Sequence, residues 1–370
     1  MNSKVAIRRC SEYNTAEMVE LIADIYKSCD GPDPRNKKVL LKPNILTDTD
    51  PLKCVSTHPS VVEAMIIYLR SRGATVFVGD SPAIHLRGFR GNKSGIGPVS
   101  EKSGAKWVDF LLSPSSVTVG SSRVRIASVI KEVDLIISLP KFKNHELVFF
   151  TGAIKNQLGL IPGFSKARQH ALYQDRDRFA EFLVDLNESV LPHFFLMDAV
   201  RGMEGPGPGQ GVPVTIGALI GSTNPLALDI TASSLADYDP LEIPTNKIAL
   251  RRGKWLRDKS EIIYDGPELE SLVKKDFKRI TEPGAKNTIF KFIFKRFKRI
   301  RRFQRRPVFI HRNCTGCREC IRICPVNAIR MHTEKENHVI LTDRQCIRCY
   351  CCSEVCQYNA VEIRRKFFGV

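Results

Sequence analysis

Residues 314–325, CTGCRECIRICP, set four cysteines at the spacing C-x2-C-x2-C-x3-C-P, and a variant, CIRCYCCSEVCQ, follows at 346–357. No other feature constrains this chain so tightly. Three cysteines two residues apart let a tight loop wrap one cubic cluster, and the fourth, set off by three residues and a proline, reaches away to a second cluster. The spacing therefore predicts one [4Fe-4S] cluster on Cys314, Cys317, Cys320 and Cys356, and another on Cys346, Cys349, Cys352 and Cys324. Paired C-x2-C motifs also make zinc sites. Zinc, however, takes four ligands per ion, and each motif here offers a third cysteine and a distant fourth that a zinc ribbon would not place there. Cys351 is an extra thiol beside Cys352, which leaves an exchange of ligand between the two open.

Of the 12 cysteines, Cys10, Cys29 and Cys54 are scattered singly and the other nine lie between 314 and 356. That distribution suits thiolate ligands in a reducing compartment better than a disulfide-stapled fold. No apolar run reaches the roughly 18 residues of a membrane span, and MNSKVAIRRCSEYN lacks the apolar stretch of a signal peptide. Cytoplasm is the expected compartment. The net charge of +18 would suit anionic partners. Much of the excess, though, comes from KNTIFKFIFKRFKRIRRFQRR at 286–306, and no nucleic-acid recognition motif accompanies it. Ile289, Ile293, Phe297 and Ile300 fall at helical spacing in that segment. Three readings stay open: a helix packing its apolar face on the protein, one lying at the periphery of an anionic membrane, and one docking on another protein.

At 370 residues the chain exceeds what one core usually supports. KVLLKPNIL (38–46), HPSVVEAMIIYLRSRG (58–73) and ATVFVGDSP (74–82) read as strand, helix and strand, a unit that builds parallel sheets. DLIISLPKFK (134–143) and HFFLMDAV (193–200) read as further strands, RDRFAEFLVDLNESV (176–190) and NPLALDITASSLADY (224–238) as helices. Near-continuous apolar strands suit a sheet covered on both faces. Residues 1–284 are expected to form a three-layer α/β domain with a mostly parallel sheet, 285–307 a basic linker or helix, and 308–370 a small α+β two-cluster domain.

In open α/β sheets ligands sit outside the carboxyl ends of the strands. Those ends carry KPN (42–44), GDS (79–81), PKFKNH (140–145) and DAVRGMEGPGPGQG (198–211). Lys42, Lys141, Lys143, Lys155 and Lys166, with His145 and His170, form an anion-binding funnel if they converge. Otherwise they are solvated surface groups. Asn44, Asn156 and Gln157 are candidates to orient a polar ligand, and Asp80, Asp198 and Glu204 to hold a divalent ion or do acid–base work. His145, His170 and Asp198 are the candidate catalytic groups. GMEGPGPGQG matches neither G-x-x-x-x-G-K-[ST] nor G-x-G-x-x-G, and Pro206 and Pro208 delete backbone donors a phosphate cradle would use. A shaped loop or lid is the better functional reading.

Residues 308–365, including PVNAI and YNAV after the two motifs, resemble the bacterial two-cluster ferredoxin family, with Gln357 where that family carries a proline. LLKPNIL, VFVGDSP, SLPKFKNH, TGAIKNQLGLIPGFSKARQH and DAVRGMEGPGPGQG, in that order, look like the DUF362 family over residues 4–240. The resemblance implies a fold and a pairing with a ferredoxin module, without a reaction. The expectation is a redox protein whose clusters relay electrons to or from a small anionic substrate or further cofactor in the α/β domain. The alternative is an electron carrier or assembly factor whose α/β domain binds a partner protein.

Overall fold

The computed structural model describes residues 3–173, 175–281 and 305–364. The first part runs β1 (Ser3–Arg9), α1 (Thr15–Ser28), β2 (Lys38–Pro43), α2 (Pro59–Ser71), β3 (Thr75–Val78), α3 (Ile96–Lys102), β4 (Lys106–Trp107), β5 (Pro114–Val119), β6 (Ser122–Ala127), β7 (Leu135–Leu139), β8 (Lys141–His145) and β9 (Phe149–Thr151). It continues with α4 (Ala153–Asn156), α5 (Ser165–Leu172), α6 (Arg176–Val190), β10 (Phe194–Glu204), β11 (Val212–Ser222), α7 (Pro225–Leu235), α8 (Pro244–Arg252) and β12 (Ile262–Asp265). The helix starts follow local chemistry. Asn14, Asp175 and Asn224 cap α1, α6 and α7 by accepting two backbone N–H groups each, and prolines open α2 and α7.

The main sheet runs β12-β1-β11-β10-β7-β2-β3-β4, with β8 continuing beside β10 and β9 pairing β8. Pairing is parallel from β10 through β7, β2 and β3 to β4, while β11 is antiparallel to both its neighbours. Alternate residues feed opposite layers. Val39, Leu41, Ile137 and Leu196 face a core with Met18, Ile22, Val61 and Met65 of α1 and α2. Leu40, Ile136, Phe195 and Met197 face the other core, with Phe179, Leu183, Leu226 and Ile248 of α6, α7 and α8. The domain is thus a three-layer α/β fold with a mostly parallel sheet.

Two strand boundaries differ from the sequence reading. Pro140 splits DLIISLPKFK, because it has no N–H for the ladder, and its carbonyl instead accepts from Asp198 N at 2.9 Å. The chain then re-enters the sheet as β8, so KFKNH is strand rather than loop. Likewise β10 does not stop at Val200. It passes a register shift between Ala199 and Arg201 and stays paired with β11 as far as Glu204.

The C-terminal part comprises β13 (Arg306–Phe309), α9 (Glu319–Arg322), β14 (Ile329–Met331), β15 (Val339–Leu341), α10 (Cys351–Val355) and β16 (Val361–Arg364). β13 pairs β16 and β14 pairs β15, both antiparallel. The basic segment 286–306 lies outside the described residues except for Arg305 and Arg306.

Candidate functional site

Two of the predicted funnel lysines turn out to be internal ties. Lys42 is fully buried in β2, and its Nζ stands 2.7 Å from Asp80 Oδ1. It also donates to Pro43 O at 2.8 Å and Asn156 Oδ1 at 3.3 Å. The other Asp80 oxygen accepts from Ile45 N. Residue 159 passes so close over this pair that a Cβ there would lie 2.0 Å from Asp80 Oδ1, which is why it is glycine. Lys141 is 2.7 Å from Asp198 Oδ2, and both groups bond the Tyr13 hydroxyl. Asp198 Oδ2 also accepts from His58 N at 2.8 Å.

Both carboxylate oxygens of Asp198 accept hydrogen bonds, and the residue ties β8 to β10. Glu204 accepts from Lys278 N at 3.0 Å. Asp80, Asp198 and Glu204 therefore serve three separate arrangements and do not converge on a divalent ion. Asn44, Asn156 and Gln157 do come together. Asn156 accepts from Asn44 Nδ2 and shares Ser138 Oγ with Gln157. Asn44 Oδ1 and Gln157 Oε1 stay buried without a partner among the described residues.

The remaining basic groups gather around a residue that the sequence reading did not single out. Nδ1 of His145 accepts from Leu147 N at 3.1 Å and Val148 N at 3.3 Å, so the neutral ring carries its proton on Nε2. Nε2 stands 3.0 Å from Oε1 of Glu354, which belongs to α10 of the C-terminal part. Burial pushes His145 down to about 3 and His170 down to about 4, so both rings are neutral at physiological pH. For Glu354, burial opposes ionisation, but His145, Lys155 and His170 outweigh it and hold the carboxyl well below its ordinary range. Lys143 donates to Val55 O at 2.5 Å, and burial with the neighbouring Lys155 drives it well below the usual lysine value. Lys155 is buried, is lowered by burial, and has no hydrogen-bond partner among the described residues. Lys166 donates to Ser81 O and Pro82 O, and burial lowers it to about 8. His145 and His170 are poor bases in this setting, which weakens the proton-transfer role the sequence suggested for them.

The loop 205–211 is the seat for α10. Gln210 Nε2 donates to Ser353 O at 2.9 Å, and a Cβ on residue 209 would lie 2.7 Å from Glu354 O. Arg305 adds an ion pair to Glu146 at 2.8 Å. Ile323, Cys351 and Val355 pack on Ala83 and Ala167, with Leu46 and Ile84 beside them.

Within the C-terminal part a repeat of 32 residues is visible in the backbone. Gly316 and Arg348, Arg318 and Tyr350, and Asn327 and Asn359 all take positive φ. Ala328 N donates to Cys324 Sγ at 3.2 Å and Ala360 N to Cys356 Sγ at 3.4 Å, again 32 residues apart. Cys314, Cys317, Cys320 and Cys356 line one pocket, and Cys324, Cys346, Cys349 and Cys352 another, with Cys351 at its edge. Left-handed loops that aim N–H groups at sulfur, around two separate apolar pockets, fit two thiolate-held cubes. The repeat matches Cys352 to Cys320 and Cys351 to Glu319. Cys352 packs with the other cysteines of the module, whereas Cys351 packs across the seam. Arg348, inside the second motif, is buried and pairs with Asp343 at 2.8 Å.

The family model for a domain of unknown function, DUF362, matches residues 39–234, more than half of the chain. The chain belongs to the DUF362 family. A 4Fe-4S dicluster domain matches residues 313–360 of this DUF362 protein, which gives it iron–sulfur electron-transfer capacity. A thylakoid-associated protein of Synechocystis is 30% identical over 259 residues, 68% of this chain and 80% of that one. Among solved structures, the lactate racemase apoprotein of Thermoanaerobacterium thermosaccharolyticum superposes with a TM-score of 0.42 at 13% identity, over 62% of this chain. A Thermotoga maritima protein solved by structural genomics does so with 0.40 at 13% identity, over 66% of this chain. The chain spans 56% and 60% of those two structures. Among the described residues no helix is long and apolar enough to cross a membrane.

Proposed function

We propose that this DUF362 protein is an iron–sulfur redox protein, whose C-terminal module relays electrons to or from a small anionic substrate or further cofactor at the loop edge of the α/β domain. The observation that carries this reading is the seating of α10 in that edge: His145 touches Glu354, which lies between Cys352 and Cys356 in sequence. The cysteine sets given above would hold two [4Fe-4S] clusters, with Cys351 left outside both. Bound clusters supply single electrons.

The burial of the ligands gives the path a direction. Cys317 is exposed to solvent, whereas Cys346 and Cys352 are buried, with Cys349 packed on the apolar seam beside Leu46 and Ala83. On this reading Cys317 of the first set faces an outside redox partner and the second set lies on the side of the α/β domain, although Cys356 of the first set is buried as well. Lys155 is the buried lysine at the inner end, and His145 and His170 stay neutral there.

Redox titration of the anaerobic protein tests the reading. Lys155→Met removes a buried cation beside the inner set and should lower one midpoint potential while leaving the other in place, because positive charge favours the reduced cluster. Lys155→Arg should leave both near wild type. Two unmoved potentials in Lys155→Met would overturn the relay. We also propose that the 286–306 segment rests on an anionic membrane surface, a reading to which the thylakoid-associated relative lends support.

A further inference from the structure

We propose that the exposed side of the first cysteine set and the Pro51–Lys53 turn of the α/β domain form one docking face for a small acidic electron-carrier protein. This rests on the relay reading and deepens it, by giving the outside redox partner a chemistry and a seat.

Shared neighbours make the face continuous. Cys317, Arg318 and Tyr358 line the same pocket as Cys356. Cys356 in turn lines a cleft of about 420 Å³ that opens between residues 356–359 and the 47–55 segment, with Leu52 and Lys53 in its wall. Asn313 Nδ2 donates to Asn359 O at 3.2 Å, which brings the turn carrying Arg312 beside the same 356–359 segment. The face therefore crosses the seam between the module and the α/β domain, and it carries Cys317, which is exposed.

The chemistry of the face selects the partner. Leu52 and Tyr358 are 68% and 49% exposed, apolar surface that docking would remove from water. Lys53, Arg312 and Arg318 are exposed, and none has an ion pair or side-chain hydrogen bond among the described residues. Arg322, one helical turn beyond Arg318, is exposed and unpaired in the same way. Two carboxylates lie among these cations: Asp50, which gives Oδ1 to Leu52 N at 2.8 Å, and the half-buried Glu319. The excess of positive charge around exposed apolar side chains complements an acidic protein surface. A flat lipid surface matches less well, because the cleft is concave and takes a protruding loop. Each encounter passes one electron. The partner's centre is oxidised as the first cluster is reduced, or the reverse, and no bond forms or breaks.

The test uses the full-length, anaerobically purified protein and an acidic flavodoxin as the probe, with a basic cytochrome c as control. Calorimetry should show flavodoxin binding that weakens roughly tenfold between about 0.02 and 0.3 M salt, and no binding of the cytochrome. Arg318→Glu on the module and Lys53→Glu on the α/β domain should each weaken it roughly tenfold as well. Lys37→Glu, at the opposite end of β2, should leave it unchanged. No binding of flavodoxin, equal binding of the cytochrome, or weakening by Arg318→Glu without Lys53→Glu would overturn the proposal. So would sedimentation with vesicles of anionic lipid that Arg318→Glu abolishes, since the face would then belong to a membrane. Iron content of the same samples reports separately on the relay. Full iron without salt-sensitive binding sinks only the docking face, whereas absent iron sinks the relay beneath it.

Discussion

Nε2 of His145, at the end of a strand of the α/β domain, stands 3.0 Å from Oε1 of Glu354, on the helix that carries Cys351 and Cys352 of the iron–sulfur module. The contact joins two folds through residues more than two hundred positions apart in sequence, and several expectations follow from it and from the pairs beneath it.

Replacing His145 by Ala removes the acceptor of two backbone N–H groups and the ring that faces the buried Glu354 carboxylate. Each group left unsatisfied costs about 1–3 kcal/mol. The variant is expected to melt lower and to become sensitive to proteolysis at the seam, while iron content stays near wild type. His145→Gln keeps a donor and should recover part of the loss. Limited proteolysis of the anaerobic protein checks this.

The pair of Lys141 and Asp198 predicts a different pattern. Asp198→Ala strands a buried ammonium and should cost about 3–5 kcal/mol, whereas Lys141→Met with Asp198→Leu should recover most of it. A urea series over both variants measures the difference. A catalytic Asp198 would instead lose activity with little loss of stability.

Asp229 sets a pH dependence. It is buried and accepts from Ala153 N at 2.6 Å and Ile154 N at 3.1 Å, yet burial outweighs both donors and raises it to about 7. The folded state therefore holds this proton more tightly than the unfolded chain. Its contribution is fully present below the unfolded value near 4 and is lost as pH rises through about 7. The melting midpoint should fall between about pH 4 and pH 7 and level off above that, and Asp229→Asn, which cannot ionise, should flatten that slope.

For the basic segment 286–306, the expectation is sedimentation of the full chain with vesicles rich in anionic lipid. Binding should fail on neutral vesicles and weaken at high salt. Equal recovery on both vesicle types would remove the membrane reading.

What the sequence made legible was local. The cysteine spacing needs only neighbours, and α6, at Arg176–Val190, coincides with the stretch read as a helix because Asp175 caps its start and the apolar period lies within it. Lys42 and Lys141 read as free cations because their partners lie 38 and 57 residues away, reached only once the sheet is assembled. Glu354 was missed for a subtler reason, although a signal existed. The two cysteine motifs repeat with an offset of 32, and Glu319 and Arg322 of the first become Cys351 and Glu354 of the second. Arg322 is exposed and Glu354 is buried. The departures from the repeat mark the face that meets the α/β domain.

The most direct test of the central claim is metal analysis with electron paramagnetic resonance of the anaerobically purified, dithionite-reduced chain. The account predicts about eight irons per chain, and a reduced spectrum of two interacting clusters that a Cys351→Ser substitution leaves unchanged. Stoichiometric zinc, or a signal from one isolated cluster, would contradict it.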